Sequence, residues 1–158
     1  MRGGRDLKHV DENEVVKRTQ GHLAVHDDYM GLARRPSVGR GPDLKVRHRR
    51  MEGHYFVVEA KGEGKGEATD AKMESMIPAL GQLTLRFTSH RGRKYGLAFP
   101  SAWKRRVLGK LSQPVVSLLR LHLFFVGTDG NVEHLKPREV KSLVARRTNA
   151  EQRNHREC

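Results

Sequence analysis

The stretch HYFVVEAKGEG, residues 54–64, runs from a buried strand into its exit. Tyr55 to Val58 are apolar at four consecutive positions, so both faces of this strand need cover, as in the centre of a sheet packed on both sides. Glu59 and Lys61 follow two residues apart, and side chains at i and i+2 of a strand point to one face. Gly62 and Gly64 then let the chain leave. The two charges emerge together at the carboxyl end of a central strand, the rim at which open α/β sheets bind ligands.

Upstream, DLKVRHRR (43–50) alternates Leu44, Val46 and His48 against Lys45, Arg47 and Arg49. That pattern predicts a half-buried strand with one basic face. Paired with 54–61 as an antiparallel hairpin, its start lies beside the other strand's end. Asp43, directly after Gly41-Pro42, then converges on Glu59, with Lys61 alongside. Residues 11–20 permit a helix with Val15, Val16 and Thr19 on one side, stopped by Gly21. HLAVHDDYM (22–30) alternates as a strand, and GLARRPSVGRGP (31–42) has the composition of a loop.

Downstream of KGEGKGE, residues 69–87 carry Met73, Ile77, Leu80, Leu83 and Phe87 at helical spacing, with Thr69 or Asp70 as cap and a kink at Pro78. YGLAFP (95–100) is a short buried strand. Residues 101–120 place Trp103, Val107, Leu111, Val115 and Leu118 on a helical face, broken near Gln113-Pro114. LHLFFVG (121–127) is a second central strand, and Asp129-Gly130 turns the chain into NVEHL. Strands that come first in succession and then alternate with helices predict one α/β domain, a mixed sheet flanked by helices. Its expected bounds are 10–135, after a flexible basic segment (1–9) and before a basic, partly helical tail (136–158).

The 158 residues carry 31 Lys plus Arg against 18 Asp plus Glu, a net charge of +13. Mean hydropathy is −0.70. A field of this sign attracts polyanions, nucleic acid first among them. The basic residues fall in three groups: Arg47, Arg49 and Arg50; Arg91, Arg93 and Lys94; Lys104, Arg105 and Arg106. The second and third flank YGLAFP and are expected on one edge, where they would follow a phosphate backbone. Three Tyr and one Trp give little support for stacking on single strands, so duplex or branched DNA is favoured over single-stranded RNA. The single cysteine, Cys158, excludes a disulfide framework and fits a reducing cytoplasm. The N-terminus lacks the apolar core of a signal peptide, and runs such as LHLFFVG are too short to span a bilayer, so no membrane partner is expected.

Two converging carboxylates repel, which favours a bound divalent cation. All-oxygen ligation suits Mg²⁺ or Mn²⁺ rather than zinc, and the Ala60 carbonyl supplies a further oxygen. Such an ion lowers the pKa of a coordinated water and neutralises phosphate charge, while Lys61 orients that water and stabilises developing charge. His22 and His26 are four apart, but the strand periodicity there gives no helical pair, and they are assigned structural or surface roles. Without an internal cysteine, no zinc site is expected.

Pro42-Asp43, Glu59-Ala60-Lys61 and Gln82 within ALGQLTLRF, in this order, resemble the PD-(D/E)xK nuclease superfamily over residues 11–127. The resemblance implies a restriction-endonuclease-like αβββαβ core and metal-dependent hydrolysis of phosphodiester bonds. It implies Asp43 and Glu59 as metal ligands, Lys61 as the water-positioning residue and Gln82 as an auxiliary residue. Gln82 lies nearly opposite the Met73–Phe87 stripe and reaches the site only if Pro78 changes the helix phase. A glutamate on the first helix, Glu14 or else Glu12, completes the set, and the family admits a homodimer. The competing expectation is a catalytically inactive, basic nucleic-acid-binding module on the same fold.

Overall fold

The computed structural model describes residues 9–31, 42–64, 74 and 76–154, without the side chains of 148–154. The basic lead-in before His9, the loop 32–41, Gly66, the Thr69/Asp70 cap, Met73 and Cys158 lie outside the described residues. Helix α1 (Glu12–His26) is followed by strands β1 (Tyr29–Met30), β2 (Leu44–His48) and β3 (Tyr55–Ala60). Helix α2 (Met76–Leu85) leads to β4 (Arg93–Pro100). A 3₁₀ turn (Ser101–Trp103) and helices α3 (Lys104–Lys110) and α4 (Gln113–Leu119) lead to β5 (His122–Val126). Strand β6 (Val132–Leu135) and helix α5 (Pro137–Asn154) complete the chain.

The sheet order is β1-β2-β3-β4-β5-β6. β3, β4 and β5 are parallel, and the other neighbours are antiparallel. The parallel pairs need crossovers, and right-handed crossovers advancing in one direction leave their helices on one face. That face packs Met76, Ala79 and Leu83 of α2, Val107 of α3, Val116 of α4 and Val140 and Val144 of α5 against Val57, Leu97, Phe99 and Phe125. α1 covers the other face, setting Val15 and Leu23 among Leu44, Phe56, Val58, Phe124 and Val126. Gly96 makes room there, since a Cβ would lie 2.9 Å from the Phe124 ring. The expected α/β domain with a mixed sheet and helices on both faces is present.

Three local expectations differ from the structure. α1 does not stop at Gly21 but runs to His26, because Val15, Thr19 and Leu23 continue one buried stripe at four-residue spacing. Gly21 faces open space. The stop comes at Asp27 and Asp28, the latter with φ 57 in the left-handed region. The strand expected over 22–30 is therefore only Tyr29–Met30. In α2 the buried residues are Met76, Ala79 and Leu83, whereas Ile77 is 66% exposed, so the helix is rotated from the expected stripe. Residues 137 onward, expected as a partly helical tail, do form a helix, but one packed on the domain, with Val140 and Val144 in the core. The helical stretch after Trp103 breaks at Leu111-Ser112, just before Pro114.

Candidate active site

The β2–β3 hairpin pairs Leu44 with Val58, so Asp43 falls opposite Glu59 one step further on. Asp43 Oδ2 accepts the Ala60 backbone N–H at 2.8 Å, continuing the ladder with a side chain in place of a backbone carbonyl. The Asp43 and Glu59 carboxyls are close enough to act on one another. Glu59 is 1% exposed, and its pKa is raised to about 7 by burial, then by the charge and hydrogen bond of Asp43. Arg86 opposes that rise: its Nε donates to Glu59 Oε1 at 2.7 Å. Ala60, whose carbonyl is the expected third oxygen, is buried between the two strands.

Lys61 extends the parallel ladder through its backbone N–H to the Ala98 carbonyl at 3.0 Å. Its Nζ lies 3.4 Å from Glu12 Oε2. Gly62 makes that approach possible, since a Cβ there would overlap the Glu12 backbone nitrogen. Glu63 then stitches the exit to α1, donating its N–H to the Val10 carbonyl at 2.9 Å and accepting the Val10 N–H at 3.1 Å. Asp11 caps the helix by accepting the Glu14 N–H at 2.8 Å.

Of the expected site residues, Asp43, Glu59, Ala60 and Lys61 are brought together at the carboxyl end of β3. Glu12, not Glu14, joins them; the Glu14 carboxylate holds Arg18 Nε at 2.6 Å, one turn along α1. Gln82 is exposed on α2, because the turned helix presents Arg86 at this point instead. Arg86 carried a signal that the sequence reasoning missed, since it follows the buried Leu83 by three residues and so continues the inward face. Tyr95 fixes this end of α2: its hydroxyl accepts the Thr88 N–H at 2.8 Å and donates to the Arg86 carbonyl at 3.3 Å.

The basic groups are arranged differently from the expected single edge. Tyr55 is in register with both Arg47 and Arg93, so the first two groups meet at the end of the sheet away from Glu59. Lys104, Arg105 and Arg106 follow the carboxyl end of β4, on the rim of the carboxylates. The eight-residue β4 separates its two flanking groups by ~23 Å at about 3.3 Å per residue. Arg91, Arg93 and Lys94 line a cavity of about 790 Å³ together with Arg120. Lys104 Nζ pairs with Glu133 at 2.6 Å.

Asp43 and Glu59 fit a hard dication. They offer oxygen donors only, each keeps a second oxygen beyond the Ala60 and Arg86 bonds, and their repulsion is incompletely relieved by Arg86. The fold and this corner define a mixed α/β protein with a pair of carboxyls, one of them buried, at the rim of its sheet. The chain matches no protein-family model, and no curated protein or solved structure is significantly similar to it. Among the described residues no helix is long and apolar enough to cross a membrane.

Proposed function

We propose that this chain is a Mg²⁺-dependent nuclease of the PD-(D/E)xK type that hydrolyses phosphodiester bonds in DNA. The observation that carries the proposal is half-buried Asp43 set opposite buried Glu59, with Lys61 on the same rim. The order α1-β1-β2-β3-α2-β4 follows the αβββαβ core that the sequence resemblance implies. When bound, Mg²⁺ or Mn²⁺ activates a water and neutralises phosphate charge. Asp43 and Glu59 would hold the ion, each restrained in place by a second bond, to Ala60 and Arg86 respectively. Lys61, fixed by its backbone bond to Ala98 and with its ammonium beside Glu12, would orient the attacking water and stabilise the developing negative charge. Lys104, Arg105 and Arg106 bind the phosphate backbone beside the reacting bond, and the two far groups hold a more distant part of the duplex.

The test is a cleavage screen of the full chain on plasmid, linear, single-stranded and branched DNA, with Mg²⁺ or EDTA. Cleavage in Mg²⁺, lost in Asp43→Ala and Lys61→Ala while both still bind DNA at low salt, is the expected result. Wild-type rates in both variants would sink the proposal. The Arg86–Glu59 ion pair favours a second reading, because a guanidinium already neutralises part of the site. On that reading the chain is a catalytically inactive, basic nucleic-acid-binding module, with salt-sensitive binding and no Mg²⁺-dependent nicking of any substrate.

A further inference from the structure

Bringing half-buried His22, Asp27 and His134 together is a consequence of the longer α1. Running the helix to His26 sets His22 and His26 one turn apart, with ring centroids 4.5 Å from each other. His22 faces His134 of β6 at 5.4 Å between centroids. Asp27, the residue that ends α1, places Oδ2 3.4 Å from His134 Nδ1. The other His134 nitrogen, Nε2, is 2.9 Å from His122 Nδ1. One donor atom each from His22, Asp27 and His134 lies within 4.8 Å of the others, the only such His/Cys/Asp/Glu group among the described residues.

We propose that His22, Asp27 and His134 form a binding site for a divalent transition metal of the zinc class, oriented from behind by His122. Four features support it. The donor set of two imidazoles and one carboxylate is that of zinc-type ions and not of Mg²⁺. The 3.4 Å between His134 Nδ1 and Asp27 Oδ2 is the edge of a tetrahedron with metal–ligand bonds of ~2.1 Å. Asp27 Oδ2 is buried without a hydrogen-bond partner, a costly state that a coordinated cation relieves. With Nδ1 on the metal, the one proton of neutral His134 sits on Nε2 and is donated to His122, the outer-shell bond that fixes a ligand imidazole.

His22 also lines a cavity of about 790 Å³ between α1 and the β5–β6 turn, together with Lys17 and Arg18. Three protein ligands leave a fourth tetrahedral position for solvent. Burial keeps His22, His122 and His134 below the ordinary imidazole pKa, so the ligands are neutral and need no deprotonation. The charges facing them are Asp27 and Glu139, which favour a cation, and Lys136, which opposes one, with Lys94 beside His122. This site is independent of the Asp43–Glu59 corner, ~15 Å along α1 by the rise from Glu12 to His22.

The experiment uses the full chain stripped with EDTA and titrated with Co²⁺, read by the visible absorption of tetrahedral cobalt, then displaced with Zn²⁺ in a calorimeter. The expected result is one equivalent of tetrahedral cobalt per chain, its spectrum unaffected by Asp43→Asn. His122→Asn should weaken binding by about 10–100-fold. His22→Ala and Asp27→Asn should each exceed that loss. Circular dichroism checks folding, and Asp27→Asn, nearly isosteric, carries the test if His22→Ala does not fold. No stoichiometric uptake, wild-type affinity in either ligand variant, or loss of the cobalt spectrum in Asp43→Asn would overturn the proposal.

Discussion

The carboxylate corner and the imidazole cluster are both partly buried titratable sites, and α1 reaches both. Burial disfavours charge in each, but the sign of the result differs. It pushes the Glu59 carboxyl up to about 7 and holds His134 down at about 4 and His122 at about 3. At the corner, a second carboxylate adds repulsion that Arg86 only partly cancels, leaving hard oxygens in need of positive charge. In the cluster, one carboxylate serves three neutral rings, and softer nitrogen donors dominate. The proposed Mg²⁺ corner and the proposed zinc-type cluster would thus arise on one fold from the same cause, separated by what stands beside each group.

Asp43→Asn is the substitution with the largest expected effect, because it breaks one site and leaves the other. Metal-dependent cleavage should fall by at least about 10²–10³-fold, the scale on which lost electrostatic stabilisation is felt. The same change removes the repulsion on Glu59, so its pKa should drop toward 4.5 and stability at pH 8 should rise. Plasmid nicking and urea unfolding on one preparation check both signs. Loss of activity together with loss of stability at pH 8 would mean that the two carboxyls do not repel.

Gly62→Ala comes next, and it sharpens the comparison through α1. A Cβ at Gly62 overlaps the backbone of Glu12, so the start of α1 must move away from the end of β3. The expected cost is about 1–3 kcal/mol, as for overpacking elsewhere. Separation of Glu12 from Lys61 should lower cleavage while Co²⁺ uptake at the other end of α1 persists. Urea midpoints and the cobalt titration measure the two halves of this prediction.

The pH dependence of stability sets the two sites directly against each other. An unfolded histidine protonates near 6.5, whereas folded His134 and His122 do so near 4 and 3. Between those values the unfolded chain binds more protons, so stability falls as pH falls. Glu59 runs the other way: it protonates near 4.5 unfolded and near 7 folded, so its contribution falls as pH rises through that window. Glu59→Gln removes the opposing slope. Between pH 4.5 and 6.5 the variant's stability should change more steeply than wild type by ~1.4 kcal/mol per pH unit. Urea unfolding at three pH values checks this; parallel curves for the two proteins would contradict the raised carboxyl.

The corner was legible because antiparallel pairing and the two-residue strand period act locally, and Asp43, Glu59 and Lys61 need nothing else to converge. Arg86 was obscured because Met73, Ile77 and Phe87 suggested one helix phase, while the sheet selects Met76, Ala79 and Leu83. Gly62 was visible as an exit, but its tight contact is with Glu12, fifty residues away in sequence, and no local pattern encodes that. The imidazole cluster was hidden by Gly21. A glycine and an alternating run after it look like a stop and a strand, yet a solvent-facing glycine costs a helix only ~1 kcal/mol, less than burying Leu23 returns. The opposite ends of β4 were in principle readable, since eight residues of strand must separate Arg93 from Lys104.

The smallest expected effect distinguishes Glu12 from Glu14, and it refines the corner's membership. Glu14 holds Arg18 in an i, i+4 pair at a partly exposed position, so Glu14→Ala should cost about 0.3–0.5 kcal/mol and leave cleavage unchanged. Glu12→Ala should cost no more in stability, because its carboxylate is 45% exposed and its contact with Lys61 Nζ is 3.4 Å long. Its consequence lies in the chemistry: an ammonium without its carboxylate partner is less well aimed, and a misplaced group lowers turnover more than it lowers affinity. A fall in kcat for Glu12→Ala beside a wild-type Glu14→Ala would place the first turn of α1 in the site. Equal rates in the two would leave Lys61 positioned by its strand alone, through the bond from its backbone to Ala98.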